Sequence, residues 1–189
     1  MNAYSPPLKF SQHIEHWHYA RLEHELKPTC RWVDFNDYIW SYGQFDYNGK
    51  VVLDIGADIG SSALYFLSRG AEYVYLVEND PNFISAYQSL KAAGAYQHLK
   101  DTSLIASAQI AEFKSDILKM DCEGCEQMLL TKELLSHFKE WVIGLHKPQL
   151  DAYQFEQKQK LLQQAGGKYL GSVNAKSKEG SEYVWKKKL

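Results

Sequence analysis

The side chains able to do chemistry in this chain are carboxylates and one histidine, and they are grouped. Asp54-Ile55-Gly56-Ala57-Asp58-Ile59-Gly60 places two acids and two glycines within one short turn. Glu78 follows eighteen positions after Gly60, with Asn79 beside it. A second acidic run reads Leu118-Lys119-Met120-Asp121-Cys122-Glu123-Gly124-Cys125-Glu126, and His146 stands further on. Carboxylates in such places accept hydroxyl groups, attract cations and take up protons. A histidine beside them is a candidate general base.

Gly56 and Gly60 frame Ala57-Asp58-Ile59. A turn that passes close under a ligand needs residues without side chains. The helix that follows, starting near Gly60 or Ser61, directs its unpaired N–H groups back toward that turn. The spacing lacks the middle glycine of G-x-G-x-x-G, which lets a backbone approach a pyrophosphate. Asp54 and Asp58 would repel a phosphate but suit a cation or an ammonium group. Glu78, at the end of the second strand, is placed to accept both hydroxyls of a ribose. These features favour S-adenosyl-L-methionine, which carries a carboxylate, an amine, a sulfonium and an adenosine, over a dinucleotide. The candidate cofactor-binding residues are Asp54, Gly56, Ala57, Asp58, Gly60, Ser61, Glu78, Asn79, Asp121 and Glu123.

In the second run, Lys119 and Asp121 are two apart and share a strand face. So close to a buried sheet they must compensate one another or face a ligand. Asp121 is expected at the strand's carboxyl edge, where ligands of open α/β sheets sit. Glu126 reads as an acid favoured by the start of the next helix. Cys122 and Cys125 read as small packing residues, because no second cysteine pair or suitably spaced histidines complete a zinc site. His146 is the first candidate for a catalytic base and Asp121 the second. The alternatives are a structural histidine, or a divalent cation held by Asp121 and Glu123 that acidifies a hydroxyl.

Alternating strands and helices must position these groups. Strands are expected over 51–55, 73–77, 116–121 and 141–146, and less distinctly over 97–100 and 109–113. Helices are expected over 61–68, 81–93, 125–137 and 149–164. The last segments, 169–173 and 182–186, read as an antiparallel hairpin. Alternation of this kind implies a parallel sheet with helices on both faces. Residues 1–49 differ: they are rich in His, Trp and Tyr and carry no glycine before Gly43. They read as a helical and aromatic extension over the domain of residues 50–189. Tyr38, Trp40 and Tyr42 could line an acceptor pocket or simply pack. His13 and His16 share a helix face but read as a solvated or packed helix.

The chain has 189 residues and a formal net charge of −2. That balance argues against a broad nucleic-acid surface. No apolar run approaches the ~20 residues of a membrane span, and the first residues do not read as a secretory signal. Three cysteines, Cys30, Cys122 and Cys125, fit a reducing, cytoplasmic setting. A homo-oligomer is left open.

The motifs Asp54-Ile-Gly-Ala-Asp-Ile-Gly60, Glu78 with Pro81 nearby, Leu118-Lys-Met-Asp-Cys-Glu-Gly-Cys-Glu126 and Gly144-Leu-His146 resemble those of the FkbM-type S-adenosylmethionine-dependent methyltransferases, over about residues 50–147. Asp58 stands where that family usually has Asn, and Asn79-Asp80 separate Glu78 from Pro81. The resemblance implies a Rossmann-like class I methyltransferase fold: a mainly parallel seven-stranded sheet, helices on both faces and a C-terminal antiparallel hairpin. It implies an enzyme of the EC 2.1.1 class that methylates a hydroxyl of a small molecule or sugar. RNA or protein methylation on the same fold, and a non-catalytic cofactor-binding module, are the alternatives. The missing Asn-Pro-Pro-Tyr type of motif counts against amino-group methylation.

Overall fold

The apolar runs Val51–Ile55 (β1) and Tyr73–Val77 (β2) become parallel strands in register, with Leu53 beside Tyr75 and Ile55 beside Val77. In the computed structural model, which describes residues 41–92, 101–173 and 182–188, they lie inside one seven-stranded sheet. The other strands are Thr102–Leu104 (β3), Ile117–Met120 (β4), Glu140–His146 (β5), Lys168–Val173 (β6) and Glu182–Lys187 (β7). Their order is β3-β2-β1-β4-β5-β7-β6. The first five are parallel, and β7 runs antiparallel to both β5 and β6. The chain thus has the Rossmann-like architecture expected from its motifs.

Side chains alternate across each strand, so the sheet separates two cores. Val52, Val74, Leu76, Ile117 and Val142 pack with Leu64 and Phe66 of helix α1 (Ser61–Ser68) and Tyr87 and Leu90 of α2 (Pro81–Ala92). Leu53, Ile55, Leu118, Met120 and Ile143 pack on the other face, with Leu135 of α4 (Lys132–Ser136) and Phe155 and Leu162 of α5 (Ala152–Gln164). Strands buried on both faces explain the near-continuous apolar runs. No helix among the described residues is long and apolar enough to cross a membrane.

Three expected elements differ. Residues 109–113 are not a strand. Ser107–Glu112 forms a 3₁₀ turn, in which the Gln109 amide oxygen accepts the Ala106 N–H at 3.1 Å. The outer strand is Thr102–Leu104 instead. The single helix expected over 125–137 is broken into α3 (Glu126–Leu129) and α4. Leu130, fully buried, adopts an extended conformation, and Thr131 restarts the helix by accepting the Leu134 N–H at 3.0 Å. Helix α5 starts three residues later than expected. Asp151 and Gln154 form a reciprocal capping box there, and Lys147–Gln149 is a 3₁₀ turn. The expected N-terminal helix bearing His13 and His16, Cys30, Tyr38, Trp40 and the strand over 97–100 lie outside the described residues.

Gly56 shows how the two motif runs meet. A Cβ there would lie 1.9 Å from the Asp121 carbonyl oxygen and 2.7 Å from the Cys122 Cα, at a φ of +77°. The glycine is required because the loop after β1 presses on the loop after β4. Gly49 has φ +65° but nothing within 4 Å of its absent Cβ. Gly56→Ala should therefore destabilise the fold by about 3 kcal/mol or more, from left-handed strain plus backbone overlap. Gly49→Ala should cost only the strain, about 1–2 kcal/mol. Thermal melts separate the two, since ~3 kcal/mol corresponds to a shift of about 6–12 °C in a domain of this size. Equal shifts would show that the close approach is not the constraint.

Candidate functional site

A crevice of about 620 Å³ opens at the carboxyl ends of β1, β2 and β4, where open parallel sheets bind ligands. Of the residues expected at a cofactor site, Gly56, Asp58, Glu78, Asn79, Asp121 and Glu123 line it. Asp54, Ala57, Gly60 and Ser61 do not. They are part of the turn and its support beneath. The wall also includes Tyr42, Ser62, Phe83, Lys119, Cys122, Cys125 and Leu129. Phe83 and Leu129 were missed, since on sequence alone they look like ordinary helix residues.

Asp54 is fully buried and forms an ion pair with Lys119 at 2.8 Å. The two are register partners on β1 and β4. Lys119 Nζ also donates to the Gly56 carbonyl at 2.6 Å, and Ser62 Oγ donates to Asp54. Burial works against the ammonium charge, but Asp54 and Asp121 outweigh it and hold the Lys119 pKa above its ordinary value. Lys119 is therefore a cation that fixes the turn.

Glu78 faces the crevice and organises its floor. One carboxylate oxygen accepts the Asp58 N–H at 2.9 Å. The other accepts the Asn79 and Asp80 N–H groups at 2.7 and 2.9 Å. Asp58 itself sits at φ 52°, a left-handed conformation uncommon outside glycine. Its Oδ1 is buried without a hydrogen-bond partner among the described residues. Burial, reinforced by the Glu78 charge, pushes the Asp58 pKa up to about 6.

At the far side, Asp121 and His146 come together. His146 Nε2 lies 3.2 Å from Asp121 Oδ1, and Tyr42 donates its hydroxyl to Asp121 Oδ2 at 3.1 Å. His146 Nδ1 lies 2.5 Å from Glu126 Oε1. Glu126 is fully buried. It accepts the Gly124 N–H at 2.6 Å and the His146 N–H at 3.2 Å. Glu126 opens α3, as expected of a helix-start acid, and its buried side chain also turns inward to clamp the histidine, a contact the helix-start reading does not supply. Burial works against the imidazolium, yet hydrogen bonds to Asp121 and Glu126 lift the His146 pKa to about 10. Burial works to raise Asp121, but His146 and Lys119 outweigh it and hold the carboxyl at about 2. At neutral pH the pair is imidazolium and carboxylate, so His146 is a donor on both nitrogens.

Cys122 and Cys125 pack against the core, as expected, but not as free thiols. Their sulfurs form a disulfide in the crevice wall, closing a loop that contains Glu123 and Gly124. Both enclosed residues have positive φ, 47° and 126°.

No known family profile matches the chain. It is 35% identical over 113 residues to uncharacterized protein 65 of Sulfolobus islandicus filamentous virus (isolate Iceland/Hveragerdi), covering 59% of this chain and 69% of that protein. It is 32% identical over 123 residues to uncharacterized protein 158B of Sulfolobus islandicus rod-shaped virus 1, covering 62% and 72%. The chain belongs to the family of these viral proteins. Among solved structures, the precorrin-6y C5,15-methyltransferase of Geobacter metallireducens superposes with a TM-score of 0.61 at 12% identity, covering 86% of this chain and 93% of that one. A putative tRNA (m1A22) methyltransferase of Streptococcus pneumoniae, solved with S-adenosyl-L-methionine, gives 0.56 at 15% identity, over 84% and 76%. Methyltransferase FkbM of Methylobacillus flagellatus gives 0.55 at 16%, over 77% and 45%. The fold is that of S-adenosylmethionine-dependent methyltransferases.

Asp58 should leave a signature in pH-dependent stability. Unfolded, it releases its proton near the ordinary value of 3.8; folded, it keeps the proton to about pH 6. Between these values the folded state holds more protons, so stability falls as pH rises. Ionisation by pH 7 weakens the fold by up to about 3 kcal/mol. Asp58→Asn should raise the urea midpoint at pH 7.5, with the difference closing by about pH 4. A pH-independent difference would contradict this account.

Proposed function

We propose that the chain is an S-adenosylmethionine-dependent methyltransferase acting on a hydroxyl of a small molecule or sugar. One observation carries the cofactor assignment: the buried, unpartnered Asp58 Oδ1 in the wall of an acidic crevice. A desolvated carboxylate of raised pKa is stabilised by a cationic donor, which the amino group of this cofactor supplies. Glu78 is half-buried and holds its place through three backbone N–H groups. A carboxylate has about four acceptor positions, so one remains for a ribose hydroxyl. Ile55, Val77, Phe83 and Leu129 offer apolar surface to the adenosine. A pyrophosphate would meet Asp58, Glu78 and Asp121 in the same space and be repelled.

When bound, the cofactor supplies a methyl group already activated on a sulfonium. The chain then has to align an acceptor oxygen for in-line displacement and exclude competing water. Asp121, exposed by 29% at its side chain, is the group that faces the acceptor, accepts a hydrogen bond from its O–H and passes the released proton on to solvent, staying ionised itself. His146 acts through Asp121. Held between two carboxylates, it fixes the orientation of Asp121 and keeps it ionised. The FkbM-like motifs Asp54–Gly60 and Leu118–Glu126 support a hydroxyl acceptor. Residues 50–189 form the cofactor domain in this reading, with residues 1–49 as its cap.

Calorimetry with S-adenosylhomocysteine tests the cofactor assignment. The wild-type chain should bind it. Glu78→Gln should weaken binding by about tenfold or more, the loss typical of a charged hydrogen bond, with its fold checked by circular dichroism. A chain stabilised by NAD and not by S-adenosylhomocysteine would overturn the assignment. A radiolabelled methyl-transfer screen over sugars, small hydroxyl compounds, RNA and peptides tests the acceptor. Label in RNA or peptide, and none in hydroxyl compounds, would overturn that part.

A further inference from the structure

Strand pairing brings a third carboxylate to the histidine. His146 and Glu182 are directly opposed partners on the antiparallel strands β5 and β7, and opposed side chains lie on one face within reach. Two residues before His146, on the same face, stands Gly144. A Cβ there would lie 2.4 Å from Glu182 Oε1. Gly144 has no left-handed φ to explain it; the missing side chain leaves the slot in which the Glu182 carboxyl lies. A donor atom of Asp121, one of His146 and one of Glu182 all lie within 4.8 Å of one another. Donors bound to one dication at about 2.0–2.2 Å are themselves about 3–4 Å apart, so only a small contraction is needed.

The other ring nitrogen is already set as a metal-bound histidine requires. Ligating imidazoles almost always donate their second N–H to a carboxylate or carbonyl, which fixes ring orientation and tautomer. Glu126, fully buried and anchored by two backbone N–H groups, does this for Nδ1. Nε2 is thereby aimed at Asp121. Charge points the same way. Asp121, Glu126 and Glu182 bring three carboxylates around one imidazole, with Lys119 as a further cation beside Asp121. Glu123, the expected partner of Asp121 in holding a cation, does not join this group.

We propose that Asp121, His146 and Glu182 bind one divalent transition cation, with Glu126 as the positioning residue behind His146. The cation replaces the proton between Nε2 and Asp121 and releases it to solvent. One imidazole and two carboxylates suit Mn²⁺, Fe²⁺ or Zn²⁺ over Mg²⁺ or Ca²⁺, which take oxygen ligands. Because Asp121 is shared with the crevice wall, the cation stands where an acceptor hydroxyl would be acidified. That use rests on the methyl-transfer reading; the binding does not.

The test is a titration of the full-length chain with Mn²⁺ alone, followed by calorimetry and electron spin resonance. Saturable one-to-one binding is expected, with nitrogen coupling from one imidazole on the bound Mn²⁺ and competition by Zn²⁺ stronger than by Mg²⁺. Glu182→Gln should weaken binding by more than about tenfold, and Glu126→Gln by about 10- to 100-fold. Gly144→Ala should weaken it by displacing Glu182. The surface variant Glu156→Gln should bind as wild type. His146→Gln leaves two carboxylates without their cation and is at risk of misfolding, so Glu182→Gln, checked by its thermal melt, is the deciding variant. No saturable Mn²⁺ binding, no nitrogen coupling, or unaltered binding in folded Glu182→Gln would each overturn the proposal. S-adenosylhomocysteine titrated without metal reports separately on the crevice, so failure of one assignment is distinguishable from failure of the other.

Discussion

The buried ion pair between Asp54 and Lys119 is the constraint on which the rest of the site depends. Its two members are adjacent in register on β1 and β4, and both are buried, with only the edge of Lys119 reaching the crevice wall. A buried charge is tolerated only when paired and hydrogen-bonded, and here the surplus bonding capacity reaches into the surrounding turns. Lys119 donates to the Gly56 carbonyl, so the turn after β1 cannot drift from β4. Ser62 donates to Asp54, which ties the first turn of α1 to the same carboxylate. A hydrophobic pair could fill this space, but it would leave the Gly56 carbonyl without its donor and the turn without its anchor. The pair's role is to place backbone, which apolar packing does less specifically.

With that turn fixed, the electrostatics of the crevice follow. Asp58 and Glu78 sit over it from one side and Asp121 from the other. Lys119 is the cation between them, and its charge is engaged by Asp54 beneath. The open space is therefore left with carboxylate character. Such a field selects against phosphate-bearing ligands and for cationic ones. It also explains why Asp58 is tolerated in a left-handed, desolvated position. A residue held this way weakens the free protein and gains when a cationic group arrives, so strain and burial sit where binding can relieve them.

Much of this was legible in the sequence because it depends on local rules. Val51–Ile55 and Tyr73–Val77 are apolar runs too short for helices, and Pro81 and the glycines punctuate the elements between them. The carboxyl edges of those strands then had to carry Asp58, Glu78 and Asp121. Other features depend on contacts that no spacing reveals. Glu126 opens a helix, and the helix dipole accounts for an acid there equally well whether it faces solvent or His146. The break at Leu130 was hidden because the segment has good helix formers, while burial of Leu130 and the Thr131 cap decide the outcome. Gly56 was legible as a required glycine, but one reason for it was not: its missing Cβ also leaves room for the Asp121 carbonyl, a contact that no spacing reveals. Glu182 is the furthest case, since only β5–β7 pairing shows that a residue near the C-terminus stands opposite His146.

The loop from Asp121 to Glu126 shows how a short segment can hold two carboxylates at fixed positions around one imidazole. Its two ends are set by regular structure: Asp121 leaves β4 with its N–H bonded to the Ile55 carbonyl, and Glu126 enters α3. Between them the chain must reverse quickly, and it does so through two residues of positive φ, Glu123 and Gly124. Left-handed glutamate is unfavourable by itself. The disulfide spans both residues, and the Gly124 N–H is taken up by Glu126. The reversal is thus closed covalently and stitched by the same carboxylate that grips His146. A longer or looser loop could bring Asp121 and Glu126 near the ring, but it would not hold them on its two opposite nitrogens. That opposition keeps Nδ1 of the histidine locked to the buried Glu126 and aims Nε2 at Asp121, which stands in the crevice wall.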